Sequence, residues 1–340
     1  MSEKPLNAET PTERLRSWIT ANSMFFSRNQ GGIMKEPIPL SDWDLIIEGE
    51  VGKALRLNFD EIIRMPKTIV ANTIECSGNG RSLFKEKASG NPWTTGGVGN
   101  AVWGGVWLKD VLEKARLKAG AKHVAFEGLD EPLGSSGIKF IRSIPVEKAM
   151  SSTILAYEMN GEPLPLEHGY PVRTVALGWT GANCAKWVHR IKVLAEPFGG
   201  HYMDRVYRIF QKGEDPESGT VVTRLNLKSF ITQPLQDEKV STGQITILGV
   251  AYASDANIER IEVSVDKGKT WNMATLIGPH ERFAWRHWQY VWTATEKKDH
   301  TLLSRATDSD GYRQPMNGHW NVLGYGNNGI VEHAVTVHVR

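Results

Sequence analysis

Two periods of apolar residues run through this chain, and the place where one gives way to the other divides it. Between Trp43 and about Leu194 the spacing is mixed. Short runs rich in β-branched and aromatic residues predict strands over Asp44–Gly49, Thr68–Ile74, His123–Glu127, Ile154–Met159, Val172–Leu177 and Val188–Leu194. A few helices interrupt them. Leu108, Val111, Leu112 and Ala115 fall on one face of a helix predicted over Trp107–Leu117, with Gly120 as its stop. Asn58 caps a shorter helix that ends by Met65, ahead of Pro66. Asn160-Gly161 reads as a turn. The order is not a repeated βαβαβ, so this part is α+β, a mixed α/β domain.

The polar stretch Gln211–Gly219 then breaks the pattern, and the helical period disappears after it. Ile245–Ala251, Ile258–Val265, Thr270–Leu276, Tyr290–Thr295 and Leu302–Ala306 read as strands, separated by turns such as Asp266-Lys267-Gly268 and Asp308-Ser309-Asp310-Gly311. Regular short strands of this kind predict an immunoglobulin-like β-sandwich. No Cys…Trp…Cys pattern marks a true antibody-like domain. The expected domains are 1–218 and 219–340.

Composition narrows the function. At about 150 residues per domain, 340 residues make roughly two domains, and 40% hydrophobic with 23% charged residues is ordinary for a globular chain. The formal net charge of +2 excludes a nucleic-acid binder that works by bulk charge, though not a local basic pocket. No apolar run is long enough to span a membrane as a helix. Two cysteines, Cys76 and Cys184, exclude a disulfide framework, a four-cysteine zinc site and a one-chain iron–sulfur cluster. No CxxCH occurs to attach a c-type haem. Met1 to Trp18 has no apolar h-region and no twin arginine, so the chain reads as cytoplasmic; an export leader removed ahead of it would make it periplasmic.

Three segments offer chemistry. A β-rich run enters Thr73-Ile-Glu-Cys-Ser-Gly-Asn-Gly-Arg81, which presents Cys76 at a strand end beside a glycine turn and a cation. That suits a soft metal ligand or a nucleophile, with a buried structural cysteine as the alternative. Phe25-Phe-Ser-Arg-Asn-Gln-Gly-Gly32 leads an aromatic pair into groups that contact an anion, or else into a solvated loop. Tyr157 to Arg173 brings His168 and Arg173 around a Gly-Tyr-Pro turn, and Gly178 to Trp187 adds glycines and Lys186. Cations with glycine-rich backbone suit a phosphate; singly, each also reads as a surface charge. Neither GxGxxG nor a P-loop is present.

Together these segments resemble the sulfite oxidase family of molybdenum enzymes. The matching stretches are Phe26-Ser-Arg-Asn, Glu75-Cys-Ser-Gly-Asn-Gly-Arg81, Phe126-Glu-Gly-Leu-Asp130, Leu155 to Pro165, His168-Gly-Tyr-Pro-Val-Arg173 and Lys186-Trp187. The second domain adds Ile261 to Asp266, Gly268-Lys-Thr-Trp271, Arg305-Ala-Thr-Asp308 and Gln314-Pro315. The resemblance implies a molybdopterin domain of the sulfite oxidase fold followed by an immunoglobulin-like domain that dimerises. It implies a molybdenum-molybdopterin cofactor without haem, and oxidation of sulfite to sulfate by oxygen-atom transfer. Electrons pass to an external acceptor such as a c-type cytochrome; no nucleic acid or membrane is involved.

Carried over residue by residue, Cys76 is the thiolate on the metal. Phe26, Ser27, Arg28, Asn29, Gln30, Asp130, His168, Arg173, Cys184, Ala185 and Lys186 hold the pyranopterin and its phosphate. Arg28, Arg81, Trp93 and Tyr207 line the substrate pocket. There are departures: Gln30 stands where many members have His, and Gly80 where Arg is common. His333-Ala334 is all that marks a C-terminal region where several members place another arginine. A less cationic pocket leaves sulfite, a protein-bound sulfane sulfur and another oxo-compound open as substrates. A binding protein that kept the fold is the remaining alternative, and Cys76, Arg28, Arg81 and Tyr207 together argue against it.

Overall fold

The computed structural model describes residues 2–3, 5–132 and 137–340. The chain packs as two units that interleave in sequence. The first holds the N-terminal residues through Ala8, then Ser27–Val70 and Ala101–Thr223; the second holds Glu9–Phe26, Ala71–Asn100 and Arg224–Arg340. The sequence boundary at 218/219 lies close to the last crossing, while two earlier stretches pack with the C-terminal unit.

In the first unit, β1 (Asp44–Gly49) buries Leu45 and Ile47 and turns the intervening residues outward, the period of a half-buried strand. β2 (Leu55–Asn58) returns antiparallel and leads into α1 (Phe59–Ile63). Asn58 and Glu61 form a reciprocal capping box at its start, at 2.9 Å each way. The chain then runs through β3 (Lys67–Glu75) and β4 (Val98–Trp107), each of which passes from one unit to the other.

α2 (Leu108–Ala115) buries the predicted stripe Leu108, Val111, Leu112 and Ala115. It stops short of the predicted Leu117. Arg116 turns left-handed at φ 57°, and the amides of Gly52 and Lys53 take the carbonyls of Arg116 and Ala115. A neighbouring loop therefore caps this helix, not Gly120.

Further elements of this unit are β5 (His123–Gly128), β6 (Ile141–Pro145), α3 (Val146–Ser152), β7 (Thr153–Met159), β8 (Arg173–Ala176) and β9 (Val188–Leu194). One sheet has the order β2-β1-β9-β5-β6, with β9 parallel to β1 and antiparallel to β5. In another, β7 pairs antiparallel with both β4 and β8. Asn160 and Gly161 take φ of 54° and 82° in the predicted turn.

The second unit is a β-sandwich. One sheet contains β10 (Lys228–Gln233), β11 (Gly243–Tyr252) and β13 (Arg286–Ala294), with a short strand at Thr275–Ile277. The other contains β12 (Ile258–Ser264), β14 (Asp299–Asp308) and β15 (Val335–Val339), with short strands at Glu238–Val240 and Asn272–Met273. Their inner faces share a core of Ile247, Ile261, Val263, Trp288, Trp292, Leu302 and Val337. Each such side chain stabilises by roughly 1.5–3 kcal/mol. Gly249 lies opposite Trp288 because a Cβ there would meet the indole at 2.2 Å. The predicted strand Thr270–Leu276 is two strands, since the chain changes sheets at Ala274. A second core cluster of Leu15, Phe230, Val250, Tyr252 and Trp285 packs the segment from Glu9 to Phe26 against the sandwich. Among the described residues no helix is long and apolar enough to cross a membrane.

Candidate active site

Cys76 lies in the second unit, directly after β3, in a turn that the backbone closes on itself. Its N–H donates to the Gly97 carbonyl at 2.8 Å, and its carbonyl accepts from Asn79 N–H at 2.9 Å. The Asn79 side-chain oxygen in turn accepts from Gly97 N–H at 2.9 Å. Glycine at residue 97 gives this contact room, since a Cβ would press on Asn79 at 3.0 Å and on the Trp93 ring at 3.1 Å. Trp93 is fully buried, and Phe26 meets it edge to face at 6.3 Å between ring centroids. Cys76 is 7% exposed.

Arg81 begins the short helical turn after this loop. Its Nε donates to the Leu323 carbonyl at 2.6 Å, its Nη1 donates to the Asn91 carbonyl at 2.8 Å, and its guanidinium lies 5.3 Å from the Tyr325 ring centroid. Gly78 and Gly90 leave room for the fork, since a Cβ on either would approach it within 2.7 Å. No carboxylate among the described residues pairs with it, so a nearly buried positive charge is held rigid and uncancelled. That arrangement suits an oxyanion.

The first unit gathers the other predicted residues. Asn29 is buried; its amide donates to Ser27 Oγ at 3.1 Å, and its oxygen accepts from Lys186 Nζ. Arg28 donates to Asn7 Oδ1 at 3.1 Å. Gln30 donates from Nε2 to the Tyr207 hydroxyl oxygen at 2.6 Å, joining two segments far apart in sequence. Tyr207 itself takes φ 58°, with the Arg142 guanidinium 5.1 Å from its ring centroid. Arg173 donates to the His168 carbonyl at 2.9 Å and covers the Trp103 ring at 4.8 Å. Thr174 and Ala185 exchange hydrogen bonds that fix the Cys184–Lys186 segment beside β8.

Electrostatics in this cluster favour binding of an anion. Burial, and then Arg173, push the Lys186 ammonium well below its ordinary range. Burial pushes the Asp130 carboxyl up to about 6, against the pull of Lys186. Burial also lowers Arg173 to about 10. Arg28, Arg173 and Lys186 face Asp130 and Glu167 as the nearby carboxylates. A phosphate would relieve both the repulsion and the desolvation. Burial raises the Cys184 thiol, which keeps it protonated at neutral pH and unsuited to bind metal. The donor sets of both units therefore fit a pterin phosphate and a soft metal.

Comparison with known proteins agrees. Residues 33–202 match the oxidoreductase molybdopterin binding domain, and residues 220–340 match the Mo-co oxidoreductase dimerisation domain. The sulfite oxidase of Arabidopsis thaliana is 32% identical over 357 residues, 95% of this chain and 90% of its own length. The chain belongs to the sulfite oxidase family. Its cofactor is molybdenum-molybdopterin, in keeping with the molybdopterin binding and Mo-co dimerisation domains it matches. The mitochondrial sulfite oxidase of Rattus norvegicus is 36% identical across 95% of this chain, which spans 62% of the rat protein's length. The crystal structure of the sulfane dehydrogenase SoxCD from Paracoccus pantotrophus superposes with a TM-score of 0.87 and 30% identity, covering 100% of this chain and 88% of that one.

The sequence reading overlooked two sets of residues that support these clusters. One is Arg142, which donates to Asn183 Oδ1 at 3.1 Å while facing Tyr207. The other is Glu75 with its buried partners Lys228 and Tyr252. The available signal was a lysine inside the apolar run Leu225-Asn-Leu-Lys-Ser-Phe-Ile231.

Proposed function

We propose that this chain oxidises a small sulfur oxyanion, with sulfite as substrate and sulfate as product. Sulfite and water yield sulfate, two electrons and two protons, and the electrons leave to an external acceptor of the c-type cytochrome kind. Bound molybdopterin supplies the two-electron centre and the oxygen-transfer chemistry. The chain binds and orients. In the second unit Cys76 offers a soft thiolate to the metal. Arg81 holds the oxyanion there, and Trp93 and Phe26 exclude water. In the first unit the Arg28, Arg173 and Lys186 cluster holds the pterin phosphate, with Ser27, Asn29, Asp130, His168, Cys184 and Ala185 around it. Tyr207, oriented by Gln30, holds a proton at its hydroxyl.

The observation that carries this reading is Arg81, a nearly buried guanidinium fixed by two carbonyls and cancelled by no carboxylate among the described residues. The test is metal analysis with a steady-state assay. Wild type should hold about one molybdenum per chain, and Cys76→Ser should abolish turnover. Arg81→Met should raise KM for sulfite about tenfold or more at full molybdenum content, the equivalent of about 1.4 kcal/mol. Molybdenum loss with a normal KM in the remaining fraction would show that Arg81 serves the cofactor instead. Full sulfite oxidation by Cys76→Ser would overturn the assignment.

The likeness to a sulfane dehydrogenase across the whole chain favours one second reading, a substrate sulfur carried on a protein or thiosulfate. Sulfite and thiosulfate compared in the same assay, with ferricyanide and cytochrome c as acceptors, separate the two.

A further inference from the structure

Glu75, the residue before Cys76, sends its carboxylate into the β-sandwich. One oxygen, Oε1, accepts three hydrogen bonds: from Lys228 Nζ at 2.5 Å, from the Tyr252 hydroxyl at 2.8 Å and from Asn79 Nδ2 at 3.0 Å. Lys228 and Tyr252 face each other across β10 and β11 and are each 1% exposed. Two neighbouring strands thus deliver a cation and a hydroxyl to one oxygen. From there the connections return to the sulfur's own backbone. Asn79 bridges Glu75 to Gly97 N–H, and Gly97 accepts from Cys76 N–H.

A buried ion pair is a poor way to add stability, because desolvation offsets the attraction and a well-packed apolar pair does as well or better. Its directionality is what apolar packing lacks: three fixed donors set one carboxylate, and the carboxylate sets the turn. We propose that Lys228 and Tyr252 are positioning residues for the Cys76 sulfur, acting through Glu75 and Asn79. The β-sandwich then has a second task besides dimerisation, which is to aim the metal's protein ligand. This rests on Cys76 as that ligand.

The test compares alkylation rates of Cys76 and Cys184 by iodoacetamide in the cofactor-free full-length chain, read by peptide mass spectrometry. Cys184, in the other unit, is the internal reference. Tyr252→Phe removes one donor and should raise the Cys76 to Cys184 ratio about threefold. Lys228→Met should raise it about tenfold. Glu75→Gln/Lys228→Met, whose amide oxygen still accepts from Tyr252 and Asn79, should return the ratio to within twofold of wild type. Val337→Ala, a cavity in the far sheet, should lower the melting temperature and leave the ratio unchanged. Should Lys228→Met not fold, Tyr252→Phe and the double variant decide. An unchanged ratio in those variants, or an equal rise in Val337→Ala, overturns the proposal. Full molybdenum content and full sulfite oxidation in Cys76→Ser would instead overturn the ligand role of Cys76, and the alkylation ratios are unaffected by that result.

Discussion

His333 shows how one buried atom ties two peculiarities of the sequence together. Its Nδ1 is 2.8 Å from the Gly329 carbonyl, while Nε2 has no hydrogen-bond partner among the described residues. Nε2 faces Gly80, where a Cβ would lie 3.0 Å away. Gly80 and His333 therefore pack as one position, because a large side chain at residue 80 would need the imidazole's space. Burial lowers the His333 pKa to about 3, and Lys228 adds to it. The sign follows from linkage: the unfolded chain takes up this proton near pH 6.5 and the folded chain only near pH 3. Folding is thus unaffected above about pH 6.5 and loses stability as pH falls toward 3. His333→Gln should flatten the fall in unfolding free energy, measured by urea titration, over that window, by up to about 4 kcal/mol at its acid end. An unchanged slope would place the acid sensitivity elsewhere.

Among the elements, β4 is the least legible. Val98-Gly-Asn-Ala-Val-Trp-Gly-Gly-Val-Trp107 carries three glycines, which strands usually avoid, and pattern reading passes over it. The structure gives two of them a reason. A Cβ on Gly99 would strike the Phe25 ring at 2.5 Å, and one on Gly105 would strike the Leu155 carbonyl oxygen at 2.1 Å. Gly105→Ala must push backbone apart, so it should cost about 2 kcal/mol or more in chemical denaturation. Asn58→Ala should cost only about 1 kcal/mol, since it removes one exposed cap of α1. A smaller loss for Gly105→Ala than for Asn58→Ala would mean that β4 and β7 are not packed that closely. Conversely, β1 was legible to the residue, because half-burial imposes a period that its sequence repeats.

At the scale of the molecule, the family model over residues 220–340 is named for dimerisation, and closed two-fold symmetry is the commonest assembly. We expect a homodimer, with twice the 37.9 kDa chain mass by light scattering at micromolar concentration, where a monomer would contradict it. The sandwich could be anticipated from short strands and turn residues, because those signals are local. The helix end at Arg116 and the brace on Glu75 could not, because their partners lie far along the chain. The division into units follows the same rule. A change of period marks where composition shifts near residue 219, but the packing of Glu9–Phe26 and Ala71–Asn100 with the sandwich leaves no local pattern. By itself the sequence determined which residues form strands and which carry charge or sulfur, since periodicity and side-chain chemistry are properties of neighbours. Only the tertiary structure decided which carboxylate meets which cation and which glycine makes room for which ring. Those pairings depend on excluded volume and buried hydrogen bonds between segments that only the folded chain brings together.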